Sequence, residues 1–521
     1  MNKRVITAED RDDILKRFHY TDESLAIIEE ENLLPPGLLG RLHSQYPEYS
    51  GFTESARFLF HDRKNYSGLK GFREIVSVLS KNGIEIGHIE ERELFIRVYR
   101  FMATRHVLNT INWSDFTNDT VFQLVFPQPG MMRADIREAY LATSDEEKRE
   151  QLIKDYIRET NPHDGKQKLN KPTYYDDDGV LDVVEGSQHK YPQCNLVFDI
   201  ETQSCFAFCN YCFRHAQVRG DEDMFVQKDI HQVHLYMKQH KEITDLLITG
   251  GDAGFLTPER FGEYIGPIID DPGLSHIKTI RLGTRILTYS PELLLTSDYE
   301  KMLSHFRRLY DNGIQLVFMS HFSTPREILN INTVAAIRRL RRNGVTVKSQ
   351  SPVMTNISMF KKSNGEIDIE KSAKNWIDLG NILAMLGVGF HSMYCARPTG
   401  EHHYFTQPVA VIDKIFSKVY RSLASINRPS RYITMTSSAG KISLLGTAEI
   451  NGEKIFALKF NEARNMEWMD KVILAKYDEE ENTIANLKPY GASRHFYEDE
   501  LAEIEASLER SIEDGRRKEK S

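Results

Sequence analysis

Cysteine is scarce in this chain. Five occur among 521 residues, too few for a disulfide framework, so a stapled extracellular scaffold is excluded and a reducing compartment is expected. No uninterrupted apolar stretch is long enough to span a bilayer. The opening Met1-Asn2-Lys3-Arg4 leads into polar sequence without an apolar signal core, so a cytoplasmic protein with no membrane partner is expected. Positive charge is not in surplus either: 67 Lys and Arg stand against 75 Asp and Glu, a net of −8 with the signs interspersed. No basic face advertises nucleic acid or anionic lipid. Internal repeats and low-complexity tracts are also missing. What remains is ordinary for a globular protein, 40% hydrophobic and 27% charged, and long enough for a large core over two or three domains.

Three of the five cysteines fall in one run, Cys205-Phe206-Ala207-Phe208-Cys209-Asn210-Tyr211-Cys212. Three thiolates at x3 and x2 spacing hold three corners of a cubane iron–sulfur cluster and leave one iron without a protein ligand. An open iron is a place for chemistry. With an aromatic before the last cysteine, the run resembles the signature of the radical S-adenosylmethionine (SAM) enzymes. There the open iron chelates the amine and carboxylate of SAM, and an electron from the cluster splits the sulfonium to a 5′-deoxyadenosyl radical. A structural zinc site is the plain alternative, but zinc knuckles present paired Cys-x2-Cys or Cys/His sets and no second pair occurs. Cys194 and Cys395 are expected as buried thiols or site-lining residues.

Residues 1 to about 190 read as mostly helical, with apolar residues at three-to-four spacing over 71–79, 90–105 and 144–160. The stretch 161–187, rich in Asp, Lys, Gly and Pro, reads as a loop. From about 192 the pattern changes to short apolar runs at 195–200, 245–249, 277–282, 315–319, 345–348 and 388–392, with helical segments between. This predicts an α/β fold of βα repeats and a parallel, incomplete barrel, with functional groups at the C-terminal strand ends. Turn-linked strands are expected at 442–445, 447–450 and 454–460, then an acidic stretch at 478–482. A last helix over 497–517 carries Leu501, Ile504, Leu508 and Ile512 on one stripe, to dock on the body or on another subunit. The terminal Lys518-Glu519-Lys520-Ser521 is expected to fray. The expected divisions are a helical N-terminal extension of unknown role (1–114), a helical and loop lead-in (115–191), the barrel core (192–400) and a C-terminal α+β region (401–521).

Further motifs recur in order, mostly at predicted strand ends. They are Asn118-Asp119-Thr120-Val121 with Pro127, His189-Lys190-Tyr191-Pro192, Thr249-Gly250-Gly251-Asp252, Gly283-Thr284-Arg285, Ser320-His321-Phe322 with Pro325-Arg326-Glu327, Gln350-Ser351, and Thr406-Gln407-Pro408-Val409. From about 115 to 470 the chain resembles the lysine 2,3-aminomutase family, which uses both SAM and pyridoxal phosphate (PLP). The resemblance implies a partial (β/α)6 radical SAM barrel, with a [4Fe-4S] cluster on Cys205, Cys209 and Cys212. Gly250 and Gly251 allow close backbone approach, and exposed amides there, with Asp252, are expected to hold the amino-acid end of SAM. A tight turn capped by aspartate is the alternative. Arg285, His321 and Gln350 are implied around SAM. Arg214 matches the arginine that grips the substrate carboxylate, a task suited to a guanidinium fork. Lys441, after Ser437-Ser438-Ala439-Gly440, matches the PLP lysine, and desolvation is expected to lower its pKa for Schiff-base chemistry. An exposed turn lysine is the alternative. Tyr394 is implied near the PLP ring.

The chain also departs from the family. Of the Arg-Tyr-Pro-x-Arg phosphate anchor only the charge of Lys190 persists, since Gln193-Cys194-Asn195 supply no second arginine; Ser437 and Ser438 are the expected substitutes. Where lysine-specific members carry two aspartates for the substrate ammonium, this chain has Arg397 and Thr434. A cation and a neutral hydroxyl repel an ammonium and suit a side-chain carboxylate, so an acidic amino acid such as glutamate or aspartate is the expected substrate. The implied reaction moves an α-amino group to the β-carbon, with Lys441 and Arg214 as the catalytic pair. A flavodoxin- or ferredoxin-type electron donor and a homo-oligomer are the implied partners. Three alternatives stay open: a radical SAM enzyme without PLP, a lysine 2,3-aminomutase proper, and a non-catalytic iron–sulfur protein.

Overall fold

The computed structural model describes residues 6–51, 58–61, 65–161, 165–220 and 224–517. The start of the chain and the tail expected to fray lie outside them. One eleven-stranded sheet organises the chain from 187 onward: β1 (Ser187–Tyr191), β2 (Cys194–Phe198), β3 (Asp245–Thr249), β4 (Thr279–Gly283), β5 (Gln315–Ser320), β6 (Thr346–Pro352), β7 (Gly389–Tyr394), β8 (Thr434–Thr436), β9 (Gly440–Ile450), β10 (Glu453–Ala463) and β11 (Val472–Lys476). Every strand pairs with its neighbour in sequence. Strands β2 to β8 run parallel, β1 is antiparallel at one edge, and β9 to β11 are antiparallel at the other.

A parallel strand order that never reverses puts right-handed crossovers on one face. The crossover helices bury a single stripe, as in Glu300–Asp311, where Met302, Leu303, Phe306 and Leu309 are buried. The other face turns inward. Lys190 on β1 donates to the carbonyl of Ser437 beyond β8, and Lys441 Nζ on β9 lies 4.9 Å from the Tyr191 ring centroid. The first edge thus meets the antiparallel end across the concave side.

All six expected core strands form, 245–249 with the expected bounds and the other five with shifted ends. The run 195–200 stops at Phe198 because Asp199 accepts from Glu201 N and starts a 3-10 turn. The expected strands 442–445 and 447–450 are one, with a bulge near Gly446 at φ 141°. The stretch 161–187 is not only loop, since Thr173–Tyr175 pairs with Leu181–Val183. In the N-terminal part, the helix expected over 90–105 ends at Val98, and Met102–Thr104 becomes a short strand against Asn65–Ser67. The last helix, Glu498–Arg517, docks on the chain's own hairpin: Thr173 and Ser511 share a hydroxyl hydrogen bond of 2.9 Å. One buried apolar cluster runs from Ile6 to Leu501, so the N-terminal helices share the core of the sheet. No described helix is long and apolar enough to cross a membrane.

Candidate active site

The cysteine loop leaves the end of β2 and is pinned at both sides. Asp199, fully buried, accepts from Arg260 and from Tyr264 Oη at 2.7 Å. Farther on, Phe208 N donates to Met102 O at 2.9 Å, and Asn210 N to Leu124 O at 2.9 Å. The Asn210 amide also bonds the carbonyls of Gln123 and Phe126. This gives the 118–127 motif its work: its helix, capped by Asp119, is the platform to which the loop is hooked.

Gly250 and Gly251 pass directly beneath. A Cβ on Gly250 would sit 2.3 Å from Thr202 Oγ1; one on Gly251 would sit 2.4 Å from Ser204 O and 3.0 Å from Cys205 Sγ. Only glycine fits there. The expectation of a free amide is corrected at Gly251, whose N donates to Thr202 O at 2.7 Å, as Asp252 N does at 3.0 Å. Asp252 takes the turn-cap alternative. It accepts from Gly254 N, Thr284 Oγ1 and Arg285 N, tying the turn after β3 to the turn after β4, and burial raises its carboxyl to about 6.

Arg285 reaches the cysteines. Its Nη1 donates to Cys209 Sγ at 3.2 Å and to Tyr289 Oη, and its Nη2 pairs with buried Glu327 at 3.2 Å. Tyr289 Oη is 2.9 Å from the same sulfur. As free thiols, Cys205 and Cys212 resist ionisation: burial, then the neighbouring Cys212, raises Cys205, and burial, then Cys209, pushes Cys212 up to about 12. Iron bound there would remove that conflict by holding the sulfurs as thiolates. Among the described residues no three His, Cys, Asp or Glu are arranged for a single metal ion. A cubane asks for something different, one thiolate on each of three irons.

A polar row then crosses the strand ends. Beyond β5, His321 is held neutral, its pKa lowered to about 3 by burial and by Arg285 and Arg214. His321 Nε2 lies 3.5 Å from the Gln350 amide on β6, and Gln350 Oε1 accepts from Tyr394 Oη on β7 at 2.8 Å. Arg285, His321, Gln350 and Tyr394 are thus brought into one line.

Opposite this row stand two guanidinium groups. Arg214 donates to Thr249 Oγ1 at 2.6 Å and stacks on Phe198 and Phe213, 5.0 and 5.1 Å from the ring centroids. Arg397 lies 4.5 Å from the same Phe213 ring. Neither forms an ion pair among the described residues. Burial, then the charge of Arg397, lowers Arg214 to about 10, and burial lowers Arg397 as well. Thr434 does not join them. Its side chain is fully buried, and its hydroxyl is engaged with Tyr432 O and Ser443 Oγ inside the sheet. The expected substrate contact at Thr434 is therefore corrected.

At the antiparallel end, Lys441 Nζ pairs with Glu462, which also accepts from Arg431 at 3.0 Å. The expectation of a lowered lysine pKa fails here. Burial opposes the charge, but Tyr191, Glu462 and Tyr394 outweigh it and raise Lys441, while Lys441 and then Arg431 outweigh burial at Glu462 and hold its carboxyl at about 2. Beside them Arg464 donates from Nε to Ser438 O at 2.9 Å and from Nη2 to Asn170. Sequence reasoning passed over Glu462 and Arg464 although the signal existed. Asn451-Gly452, both with φ above 50°, is a two-residue hairpin turn, and folding back from it sets Lys441 opposite Glu462.

The residues present fit both implied groups: a thiol trio with a hydrogen-bonding cation for a cluster, and a lysine amine among cations for an aldehyde phosphate. No family model matches the chain. A putative L-lysine 2,3-aminomutase from Aquifex aeolicus is 26% identical over 331 residues, 61% of this chain and 82% of that protein. A glutamate 2,3-aminomutase from Clostridioides difficile is 29% identical over 33% of this chain and 37% of its own. The chain spans less than half the length of this and other curated relatives that it matches. Among solved structures, a radical SAM methyltransferase from Sphaerobacter thermophilus is similar at 12% identity and TM-score 0.30, over 55% of this chain and 84% of that one.

Proposed function

We propose, for a chain that resembles the lysine and glutamate 2,3-aminomutases in sequence, that it is an enzyme: a radical SAM, PLP-dependent 2,3-aminomutase of an acidic amino acid. Its sheet is then a partial (β/α)6 barrel of the radical SAM type. The observation that carries the substrate class is the pair Arg214 and Arg397, two guanidinium groups within 5.1 Å of one Phe213 ring and without a carboxylate partner among the described residues. Two such cations repel each other until anions reach both. A dicarboxylic amino acid brings two, and a substrate ammonium brings a third positive charge.

Cys205, Cys209 and Cys212 would hold the cluster, and Arg285 would donate a hydrogen bond to the Cys209 sulfur. Arg214 grips the α-carboxylate, Arg397 the side-chain carboxylate, and Phe213 fixes their spacing. Neutral His321, with Gln350 and Tyr394, offers hydrogen bonds beside SAM without adding charge. Lys441 would carry PLP, with Glu462 close enough to exchange its proton. When bound, the cluster and SAM supply the deoxyadenosyl radical and PLP gives the migrating nitrogen its carrier.

The test is an anaerobic assay of the reconstituted protein with PLP, SAM and dithionite, offering glutamate, aspartate and lysine in turn and reading β-amino acid by mass spectrometry. A β-amino acid from an acidic substrate is expected, and turnover of lysine alone overturns the role of Arg397. The Lys441–Glu462 ion pair favours a second reading in which the lysine is structural and PLP is not used. No visible band on adding PLP, with SAM still cleaved, would select that reading.

A further inference from the structure

Lys190 and Arg464 stand apart from the groups that the proposed reaction uses on its substrate. Lys190 lies on β1, and Arg464 directly follows β10. The β9–β10 register, with Gly440 opposite Ala463, returns Arg464 to the turn that precedes Lys441. Arg464 binds that turn twice, from Nε to Ser438 O and from its amide to Ala439 O at 3.0 Å, while Lys190 Nζ donates to Ser437 O. Both cationic heads therefore end on consecutive carbonyls of one short turn.

Neither is in an ion pair among the described residues. The Asn170 side chain also holds Arg464, and Glu505 on the last helix is the one carboxylate whose field acts on both cations. Burial, then the charges of Arg464, Arg397 and Lys441, drives Lys190 well below its ordinary range. A lysine and an arginine fixed on adjacent carbonyls with so little negative charge nearby form a seat for an anion. The Ser437 hydroxyl already bonds Gly440 within the turn, so the serine expected to replace the missing arginine is engaged. The two cations are the stronger groups for that task.

We propose that Arg464 and Lys190 together seat a phosphate monoester, the 5′-phosphate of the carbonyl cofactor held by Lys441. Arg464 thereby supplies from the end of β10 the second positive charge that 190–195 lacks. The inference rests on the PLP reading given above. It places the aldehyde end of the cofactor at Lys441 and its phosphate end at the turn only a few residues earlier.

The full-length protein is titrated with PLP and with pyridoxal, which lacks the phosphate, following the visible band and tryptophan fluorescence. Inorganic phosphate is added as a competitor. Wild type is expected to bind PLP far more tightly than pyridoxal, with phosphate displacing PLP. Arg464→Ala is expected to weaken PLP about 10- to 100-fold while leaving pyridoxal unchanged, because only the charge-assisted bond to phosphate is lost. Arg464→Lys is expected to restore part of that loss, and an unaltered melting curve separates a lost seat from a lost fold. PLP binding that survives Arg464→Ala, or falls equally for pyridoxal, overturns the seat and leaves the PLP reading standing. Wild type that binds inorganic phosphate through Arg464 yet forms no band with PLP keeps the anion seat and overturns the cofactor. Wild type that binds neither overturns both.

Discussion

The two ends of the site are built on opposite principles. At the cysteine end the charged side chains named above are already partnered: Asp199 with Arg260 and Tyr264, Asp252 with three donors, Arg285 with Glu327. At the Lys441 end positive charge outruns negative. Arg397, Lys190 and Arg464, and Arg214 between the two ends, have no ion-pair partner among the described residues, and Glu462 is shared by Lys441 and Arg431. The first end is rigid before any ligand arrives; the second is set to receive anions. Removing one group at the first end should break folding or the cluster, whereas at the second it should change what binds.

The largest effect is expected at the cluster itself. Cys209→Ser leaves two thiolates and removes the sulfur that Arg285 and Tyr289 address, so iron content and deoxyadenosine formation should fall below detection. Retention of a full cluster in that variant would contradict the assignment of Cys209.

Next comes Arg285→Ala, which strands Glu327 at 2% exposure. Leaving a buried carboxylate without its cation costs on the order of 3–5 kcal/mol. Glu327 already has a raised pKa through burial, so it would be neutral at low pH once the arginine is gone. The drop in melting temperature should therefore be larger at pH 8 than at pH 5. An equal drop at both would mean that Glu327 is not the cause.

At the other end, Arg397→Ala should lower kcat/KM for acidic substrates by about 100- to 1000-fold, the cost of one unpaired carboxylate, and spare smaller neutral amino acids. Arg214→Ala should harm every amino acid alike, since all carry the α-carboxylate. If both variants lose acidic and neutral substrates in parallel, the division of labour across Phe213 is wrong.

Glu462→Gln acts more gently. After Tyr191, Glu462 does most to keep Lys441 protonated, so removing its charge shifts the balance towards burial and lowers the lysine pKa, and the visible band formed with PLP should appear at lower pH than in wild type. The stability side has its own sign. The Glu462 carboxyl is depressed to about 2, so its contribution is present above its ordinary range and is lost as pH falls towards 2. The variant should show less of that acid loss.

Much of this was legible in the sequence because it rests on local pattern. Each core strand is a short apolar run, and the cysteine spacing puts three thiols on one loop. Arg285, His321 and Gln350 fall at or just beyond the ends of successive parallel strands, where the sheet gathers them. What escaped depends on pairing between distant segments. The Gly251 amide, expected to be free, is taken by Thr202, which no spacing reveals. Glu462 and Arg464 lie more than twenty residues beyond Lys441 and return only through the hairpin at Asn451-Gly452. Lys441 illustrates the physical lesson: burial alone predicts a lowered pKa, and Tyr191, with Glu462 across the hairpin and Tyr394, reverses it.

The smallest effect sharpens the comparison most. Thr434 and Arg397 are the two residues that the resemblance sets against the aspartates of the lysine-specific pattern, but the structure separates them. Arg397 stacks on Phe213, whereas the Thr434 hydroxyl bonds Tyr432 O and Ser443 Oγ within β8 and β9. Thr434→Val should therefore cost only about 1 kcal/mol of stability, the net worth of a buried hydroxyl bond, and leave the ranking of substrates unchanged. A denaturation curve and a substrate panel on the same preparation decide it. If Thr434→Val redirects the enzyme between acidic and basic amino acids, selectivity lies in the sheet as well as at Arg397, and the sharp division between a prebuilt end and an anion-seeking end no longer holds.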